Sequence, residues 1–231
     1  WKSDGTQVGT IQVANVDLRF SFPNLGSASV YPLAIGGTLY FGAYDPVHGF
    51  ELWKTDGTEA GTVMVKDIAP GSASSGPSSF ANLNGKLFLT ATTPENGYEP
   101  WLSDGTEAGT FLIKDVLPGR NSSQRRVLPP KALSGYIYFP ARSDAIHGED
   151  LWRTDGTEAG TLVIKDVSPG VASSRIESLV ALGGILFFPV TPGHHYELWK
   201  SDGTQEGTLP VNTSLTGIFD LRAVEDGLLF E

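Results

Sequence analysis

The sequence contains no cysteine, a single methionine and few basic residues, 16 lysines and arginines against 26 aspartates and glutamates. Without cysteine the chain has no disulfide framework, no thiolate metal site and no thiol nucleophile. The formal charge of -10 argues against nucleic acid as a partner, because such binding needs a basic patch. No apolar run approaches the ~18 to 20 residues of a membrane span, so we expect no membrane insertion.

Helical periodicity is also missing, because no window keeps apolar residues on one helix face between a cap and a stop. The apolar runs are instead short and rich in β-branched and aromatic residues, as in Ile185–Phe188, and turn-forming residues flank them. The 28 glycines and 15 prolines suit many short strands joined by tight turns. These features predict an all-β fold.

What the sequence does contain is one pattern that occurs five times. Each tryptophan is followed at the third position by Asp-Gly-Thr and at the eighth by Gly-Thr. The copies begin at Trp1, Trp53, Trp101, Trp152 and Trp199, a spacing of 47 to 52 residues. A repeat of this length fits one propeller blade or one pair of solenoid helices, and the strand-like runs favour the blade.

Four short strands are predicted in each copy. In the first complete copy they cover residues 30–35, 38–43, 51–55 and 62–68. Two-residue connections such as Asn84-Gly85 are typical of tight hairpin turns with positive φ. The neighbours Leu52 and Trp53 point to opposite faces of a strand and both are apolar, so we expect both faces of the sheet to be buried.

The two ends of the chain complement each other in this plan. Residues 216–231 carry only the first two strands of a copy, and residues 1–20 carry only the last two. We therefore predict a single domain over residues 1–231, a five-bladed β-propeller of four-stranded antiparallel blades, closed by pairing the C-terminal strands with the N-terminal strands. A window cut from a longer array would show the same pattern. The predicted blades are residues 216–231 plus 1–20, 29–70, 77–118, 127–169 and 175–213.

The repeated aspartates are predicted to form structural turns. Asp-Gly is a preferred hairpin pair, and the carboxylate can accept hydrogen bonds from nearby backbone amides. A cation or ligand site at each turn is the functional alternative. Gly61 and its counterparts are expected to form a β-bulge after the turn. The turn aspartates are Asp4, Asp56, Asp104, Asp155 and Asp202.

The loop between the second and third strands is the predicted ligand site, because all four histidines fall there. Carboxylates and amides can bond sugar hydroxyls, and an aromatic ring can stack on a sugar face. We expect these loops and the linkers such as residues 70–75 to line pockets between neighbouring blades. The candidate residues are Asp45, His48, Glu51, Asn96, Tyr98, Glu99, Asp144, His147, Asp150, His194, His195, Tyr196 and Glu197.

Two other interpretations of these loops stay open. Their oxygens would also coordinate Ca²⁺, and their imidazoles would coordinate a transition metal. In the other interpretation, His-Gly and Asn-Gly only form turns and the carboxylate only begins a strand. We expect no cofactor and no metal, with Ca²⁺ as the alternative.

Two copies carry the full pattern, Glu51-Leu52-Trp53 with Asp56-Gly57-Thr58 and Glu197-Leu198-Trp199 with Asp202-Gly203-Thr204. Glu99-Pro100-Trp101 and Asp150-Leu151-Trp152 are near matches. The pattern closely resembles the bacterial ELWxxDGT repeat family over essentially the whole chain. This resemblance implies a secreted or cell-surface bacterial protein with propeller-like repeats, and it implies no catalytic residue. The turn is also similar to the Asp-box hairpins of sialidase-like propellers, which are structural.

Three classes of function fit these observations. We expect a binding module and not an enzyme, specifically a multivalent glycan-binding, lectin-like propeller with similar sites between blades. The alternative is a structural or adhesion module that binds a surface protein and no small ligand. A glycoside hydrolase would need acids on the innermost strands, where only Glu177 and Asp220 stand at matching positions. We expect a monomer whose partners are glycans or a surface protein.

Overall fold

The computed structural model describes residues 1–17, 32–124, 128–144, 148–167, 169, 175–192, 195–218, 220–225 and 227–231. All the regular elements in these ranges are β-strands. No helix in this part of the chain has the length and apolar character needed to cross a membrane. Contacts divide the chain into two compact units, Trp1–Leu112 with Gly119–Ser122, and Ile113–Pro118 with Ser123–Glu231. The single domain with its blade bounds stays a prediction.

The first unit contains two antiparallel four-stranded sheets. The first sheet consists of β1 (Leu33–Ile35), β2 (Thr38–Asp45), β3 (Gly49–Thr55) and β4 (Val63–Lys66), in that order. The second sheet consists of β5 (Ser78–Leu83), β6 (Lys86–Ala91), β7 (Glu99–Ser103) and β8 (Phe111–Leu112), also in chain order. Strands β1 and β5 contact each other, so the first strands of the two sheets lie side by side.

The second unit contains two further four-stranded sheets and a hairpin. The third sheet consists of β9 (Lys131–Leu133), β10 (Tyr136–Ala141), β11 (Asp150–Thr154) and β12 (Leu162–Lys165). The fourth consists of β13 (Val180–Leu182), β14 (Ile185–Val190), β15 (Tyr196–Ser201) and β16 (Leu209–Leu215). The C-terminal hairpin consists of β17 (Arg222–Val224) and β18 (Gly227–Leu229). Strand β13 contacts both β9 and β17.

The hairpin turns between the first and second strands form as predicted. Asn84 and Gly85 have φ values of 52° and 88°, and Ser134 and Gly135 have 51° and 82°. Two successive positive φ values are the backbone of the type I′ turn, whose twist matches that of the strands it joins. Local sequence chemistry therefore determines these four-stranded sheets.

Both faces of the sheets are buried, which confirms the prediction from the adjacent leucine and tryptophan. Leu151 is 0% exposed and Trp152 is 6% exposed, although they point to opposite faces of β11. In the first unit the core cluster joins Leu52 of β3 to Leu87 and Trp101 of the second sheet. Stacked sheets of this kind need apolar residues on both sides, as buried strands do.

Cationic side chains tie neighbouring sheets together. The Lys66 ammonium at the end of β4 donates to the Thr110 carbonyl of the second sheet at 2.8 Å. The Lys54 ammonium donates to the Gly105 carbonyl at 2.8 Å. In the second unit the Arg153 guanidinium donates to the Gly203 carbonyl at 2.6 Å. These cations of the third and fourth strands therefore bridge to the turn of the next sheet.

The predicted pairing of the two chain ends is not observed. In the part of the chain that the structure describes, β17 and β18 form a two-stranded sheet and pair with no strand from the N-terminus. Residues 1–17 contribute isolated bridges, of which Lys2–Ile11 is one, and no named strand.

Candidate functional site

A closed hydrogen-bond network builds each Asp-Gly-Thr turn. In the second sheet, Asp104 Oδ1 accepts hydrogen bonds from the Thr106 amide at 2.8 Å and the Thr106 hydroxyl at 2.7 Å. The same hydroxyl accepts from the Gly109 amide at 2.9 Å. The Thr110 hydroxyl donates to the Thr106 carbonyl at 2.6 Å and pairs with the Ser103 hydroxyl at 2.7 Å. The aspartate therefore has a structural role here.

The five turns are nearly identical. In each, the aspartate accepts from the amide and hydroxyl of the threonine two residues later, and that threonine accepts from the glycine amide. The aspartates are Asp4, Asp56, Asp104, Asp155 and Asp202. Hydrogen bonds from the threonine lower the pKa of all five carboxyl groups.

The glycine after each turn has a different function from the predicted bulge. A Cβ atom placed on Gly109 would overlap the carboxylate of Asp104, and one on Gly61 would overlap that of Asp56. The register shift of the first sheet lies instead at Leu52 and Trp53, between β3 and β4. The glycine is required because the aspartate carboxylate occupies the space of a side chain.

The first predicted ligand loop forms a compact turn around Asp45. Its Oδ1 accepts from the amides of Val47 at 2.7 Å and His48 at 3.0 Å, and its Oδ2 lies 2.7 Å from His48 Nδ1. The hydrogen bond to Asp45 raises the pKa of His48, and the same bond lowers the pKa of Asp45. Asp45 and His48 therefore lie together at the surface, and they form an ion pair when the imidazole is protonated.

Glu51 lies inside the protein and not on the loop surface. Its side chain is fully buried and accepts from the Ile68, Ala69 and Ser75 amides at 3.0, 3.4 and 2.9 Å. The Ser75 hydroxyl donates to it at 2.5 Å. Burial raises the pKa of Glu51 to about 7, while these four donors act in the opposite direction. The carboxylate thus holds the linker to the second sheet in place.

The second loop is also held by contacts within the chain. The Asn96 amide donates to the Thr93 hydroxyl at 3.1 Å, and the Thr93 hydroxyl lies 3.2 Å from Asn96 Oδ1. The Tyr98 hydroxyl lies close to Gly76, so that a Cβ atom on Gly76 would overlap it. Gly76 also has a positive φ of 58°. Burial raises the pKa of Tyr98 to about 12. Glu99 is fully buried, like Glu51.

The third loop lies partly outside the described residues, and so does its predicted histidine, His147. Asp150 Oδ1 accepts from the Val167 amide at 3.3 Å, which is the position that Glu51 occupies against Ile68 in the first copy. Asp144 is partly buried. Glu149, which the sequence did not single out, is buried and accepts from the Ile176 amide at 3.3 Å.

The fourth loop differs from the first three. His194 lies outside the described residues. His195 Nε2 lies 3.1 Å from Glu197 Oε1, and the Trp199 indole donates to Glu197 Oε2 at 2.7 Å. The Glu197 carboxylate therefore turns towards its own strand. Tyr196 begins β15 and packs against the cluster formed by Leu198, Ile218 and Leu221.

The ligand space predicted between a loop and the following linker is filled by the chain in the first copy. The Gly49 Cα packs against the Ala73 carbonyl so closely that a Cβ would overlap it. The Phe50 amide donates to the Ser74 hydroxyl at 2.9 Å. The second copy repeats this contact, where the Tyr98 amide donates to the Ser122 hydroxyl at 3.0 Å. These loops fix the linkers to the sheets.

A cavity in the second unit brings two acids and a tyrosine together. It has a volume of about 380 Å³ and is lined by Glu177, Ser178, Tyr196, Ile218, Asp220 and Leu221. Glu177 precedes β13 and Asp220 precedes β17, at matching positions of adjacent repeats. Because β13 and β17 lie side by side, the repeat places both carboxylates at one opening. Tyr196 is the predicted ligand residue that lines this cavity.

Local contacts orient both acids of the cavity. Asp220 has a positive φ of 54° and forms an ion pair with Arg222, whose Nε donates to Asp220 Oδ1 at 2.8 Å. The guanidinium Nη2 reaches the other carboxylate oxygen of Asp220. The Thr191 hydroxyl lies 3.5 Å from Glu177 Oε1, and the Glu177 amide donates to the Pro189 carbonyl at 3.1 Å.

Acidic and histidine side chains do not cluster for metal binding in the described ranges. Those ranges contain no group of three or more such residues with the spacing to hold a metal ion. The Asp45–His48 pair is a two-residue arrangement. The described residues therefore provide no candidate binding site for the Ca²⁺ alternative.

Comparison with protein-family models found no match, and comparison with curated proteins found none either. Solved structures do match. A puromycin hydrolase S511A mutant complexed with PGG has a TM-score of 0.55 at 16% identity, over 86% of this chain and 32% of that one. A Mycobacterium tuberculosis puromycin-hydrolyzing peptidase has a TM-score of 0.53 at 12% identity, over 80% of this chain and 28% of that one.

The four-stranded antiparallel sheets are consistent with propeller-like blades. The chain spans about a third of the length of the puromycin hydrolase it matches, and the low identity makes this a likeness of fold alone. An endo-arabinase from Bacteroides thetaiotaomicron also matches, with a TM-score of 0.39 at 12% identity over 87% of this chain and 86% of that one.

The expectation that the chain is no enzyme is contradicted by the comparison with solved structures. Two structures that match it with TM-scores of 0.55 and 0.53 are, by their titles, a puromycin hydrolase and a puromycin-hydrolyzing peptidase. A repeated sheet pattern without a recognised catalytic motif therefore does not exclude catalysis. Glu177 and Asp220, which the glycoside hydrolase alternative depended on, also line one cavity.

Proposed function

We propose that the cavity lined by Glu177, Tyr196 and Asp220 binds a saccharide. The observation that carries this proposal is that two carboxylates and a phenol ring line the same cavity, which has a volume of about 380 Å³. This volume lies within the ~300–1,000 Å³ of small-molecule sites. Carboxylates accept hydrogen bonds from sugar hydroxyls, and an aromatic ring covers the apolar face of a pyranose.

The proposal differs from the predicted set of similar sites between blades. In the first two copies the loop packs directly onto the following linker, so those positions have a structural role. The cavity of the second unit instead depends on Glu177 and Asp220, whose counterpart in the second sheet is Ser78. A saccharide site here is therefore a property of one pair of neighbouring repeats and not of every repeat.

Glycan binding can be measured directly. The purified protein is applied to a glycan array, and hits are quantified by calorimetry with free oligosaccharide. We expect Glu177→Gln and Asp220→Asn each to weaken binding by about tenfold or more, because each removes a charged hydrogen-bond acceptor. Glu225→Gln is the matched control, since Glu225 is exposed on the same hairpin and does not line the cavity.

Two results would contradict the saccharide site. One is the absence of binding to any glycan on the array. The other is a hit whose affinity stays unchanged in Glu177→Gln and Asp220→Asn while both variants keep the far-ultraviolet circular dichroism of the parent protein. Because Asp220 is exposed and Glu177 is half-buried, we expect both variants to keep the fold of the parent protein.

The second candidate function is hydrolysis of a glycosidic bond at the same cavity. Two carboxylates in different environments are the requirement of most glycoside hydrolases, one as acid and one as base or nucleophile. Asp220 is held by the hydrogen bond from Arg222 Nε, so we assign it the role of base or nucleophile. Glu177 would then donate the proton to the leaving oxygen.

Hydrolysis is distinguished from binding by turnover. Oligosaccharides that bind are incubated with the protein, and new reducing ends are measured. We expect Glu177→Gln to abolish turnover and to leave part of the binding, whereas Glu225→Gln leaves both unchanged. Binding without release of reducing ends would support the first candidate alone. Membership of the ELWxxDGT family and a secreted or cell-surface location stay predictions.

A further inference from the structure

A strap of chain joins the first sheet to the second. We call residues 67–77 the strap, because they connect the end of β4 to the start of β5. The Glu51 carboxylate accepts hydrogen bonds from three amides and one hydroxyl of the strap. The Trp53 indole nitrogen, two residues further along β3, is buried and has no hydrogen-bond partner among the described residues. A buried donor without a partner costs free energy, so an arrangement that supplies an acceptor for it gains stability.

The fourth copy bonds the equivalent glutamate and tryptophan to each other. Glu197 is the counterpart of Glu51, and it lies two residues before Trp199 in β15. The Trp199 indole donates to the Glu197 carboxylate at 2.7 Å. Both glutamate and tryptophan pairs have the same register against the second strand of their sheet, and residues two apart on a strand point to one face. The Trp53 indole is therefore within reach of the Glu51 side chain.

The fourth strands of these two sheets have different lengths. Strand β4 ends at Lys66, which pairs with Leu52, and the strap follows. Strand β16 passes the same register position at Asn212 and continues to Leu215, which pairs with Tyr196. A short fourth strand therefore accompanies a glutamate that holds the strap, and a long fourth strand accompanies a glutamate that bonds the indole.

The strap occupies backbone groups that a longer β4 would use. Phe50 is the counterpart of Tyr196 in the repeat. The Phe50 amide donates to the Ser74 hydroxyl at 2.9 Å, and the Phe50 carbonyl accepts from the Gly76 amide at 3.3 Å. In the fourth copy this position pairs with the long strand β16 instead. The strap and an extended β4 therefore compete for Phe50.

The residues that follow β4 are compatible with a longer strand. Ile68 is β-branched, and Pro70 is the first residue after β4 that lacks an amide proton, so the ladder can extend to Ala69. The extension has a cost, because Ile68 is 3% exposed and packs in the core of the first unit. We expect the extended arrangement to be the less populated one for this reason.

We propose that the strap is a conformational switch with two states. In the closed state, which the structure shows, Glu51 holds the strap and β4 is short. In the open state β4 extends to Ala69, the Glu51 carboxylate accepts from the Trp53 indole, and the strap leaves the loop of residues 45–51. Opening frees the space between that loop and the strap, which the chain itself fills in the closed state.

Native-state hydrogen exchange, followed by nuclear magnetic resonance, tests the switch. The reporter is the amide of residue 75, which donates to Glu51 at 2.9 Å in the closed state. Ser75→Ala removes the hydroxyl donor of the closed state, so we expect the protection factor of this amide to fall about tenfold. Trp53→Phe removes a donor that is paired only in the open state, so we expect the protection factor to rise about threefold.

The direction of the Trp53→Phe effect separates the switch from a purely structural role. A tryptophan that only fills space loses packing on this substitution, so every opening that disrupts the core becomes more frequent and protection falls. Trp152→Phe is the matched control, since the Trp152 indole nitrogen is likewise buried without a partner among the described residues but belongs to the second unit. It should leave the protection of residue 75 unchanged.

A second measurement uses the parent protein. Chemical-exchange saturation transfer on the Trp53 indole proton should reveal a minor state whose chemical shift approaches that of the Trp199 indole, which bonds a carboxylate. Two outcomes would overturn the proposal. One is a Trp53 indole without such a minor state. The other is a Trp53→Phe variant in which the protection of residue 75 is unchanged or lower.

Discussion

At the scale of single residues, the protein depends on small contacts between polar groups and glycine. Asp104 and Gly109 illustrate this, because the Asp104 carboxylate occupies the position that a Cβ atom on Gly109 would take. The sequence predicted the turn at Asp104 but attributed Gly109 to a bulge. The two residues are five positions apart on one turn, and a contact between a side chain and the backbone of this kind has no signature in propensity or periodicity.

The first prediction concerns this pair. We expect Gly109→Ala to lower the free energy of unfolding by roughly 1–3 kcal/mol, because the new Cβ overlaps the Asp104 carboxylate. Gly227→Ala is the matched control, since a Cβ there meets no atom within 4 Å. Urea unfolding followed by tryptophan fluorescence measures both.

The cause is tested by removing the carboxylate. In an Asp104→Ala background, Gly109→Ala should cost less than in the parent protein, a coupling that a double-mutant cycle reports. Equal costs in the two backgrounds would show that the glycine is needed for another reason.

A second residue-scale prediction concerns Glu51. Burial raises its pKa to about 7 from an ordinary value of 4.5, so the folded state keeps a proton that the unfolded chain has lost. The free energy of unfolding should therefore fall as the pH rises from 4.5 to about 7 and level off above that, a loss of up to roughly 3 kcal/mol.

The variant Glu51→Gln should flatten this slope, because it has no proton to lose. Glu95→Gln is the control, since Glu95 is exposed on the second loop. Denaturant unfolding at several pH values between 4.5 and 8 gives the slopes. A parent slope that Glu51→Gln does not change would assign the pH dependence to other groups.

At the scale of elements, strands and hairpin turns could be predicted but the packing of the loops could not. The turns at Asn84-Gly85 and Ser134-Gly135 follow from residues that tolerate positive φ. The loop from Asp45 to Glu51 has the composition of a ligand site, yet it contacts the linker through Gly49 and Phe50. The composition of a loop shows which chemical groups it contains, but it does not show which residues those groups contact.

The third prediction belongs to the first loop. The hydrogen bond to Asp45 raises the pKa of His48 above 6.5, so Asp45→Asn should shift the His48 titration downwards. The ion pair exists between the lowered pKa of Asp45 and the raised pKa of His48. Its contribution to stability is lost as the pH rises through the His48 value or falls through the Asp45 value.

Nuclear magnetic resonance of the imidazole protons measures this shift. His195 is the internal reference, because it contacts Glu197 and not Asp45. An unchanged His48 titration in Asp45→Asn would show that the pair does not form in solution.

At the scale of the whole molecule, the repeat predicted the four-stranded antiparallel sheets but not the state of the chain ends. The sheets follow from local pairing that every copy repeats. Pairing of residues 1–20 with 216–231 would depend on contacts between distant segments, which the copies themselves do not encode. The candidate cavity was partly predictable, because Tyr196, Glu177 and Asp220 were each noticed, but for different functions.

The fourth prediction follows from the net charge of -10. Excess negative charge repels itself in the compact state, and salt screens it over a Debye length of about 10 Å at 0.1 M. We expect the melting temperature at pH 7 to rise when sodium chloride is raised from low to physiological concentration. Near the isoelectric point of about 4.8 the same salt should have little effect. A salt response of equal size at both pH values would exclude self-repulsion as its cause.

The turn around Asp104 also has a kinetic consequence. The hydrogen bond between Ser103 and Thr110 joins residues only seven positions apart in the sequence. Because the loop that it closes is short, the network forms at small cost in chain entropy. Contacts between near neighbours in sequence form early during folding. We therefore expect these turns to form early, so that a chain still leaving the ribosome orders one copy before the next has been synthesised.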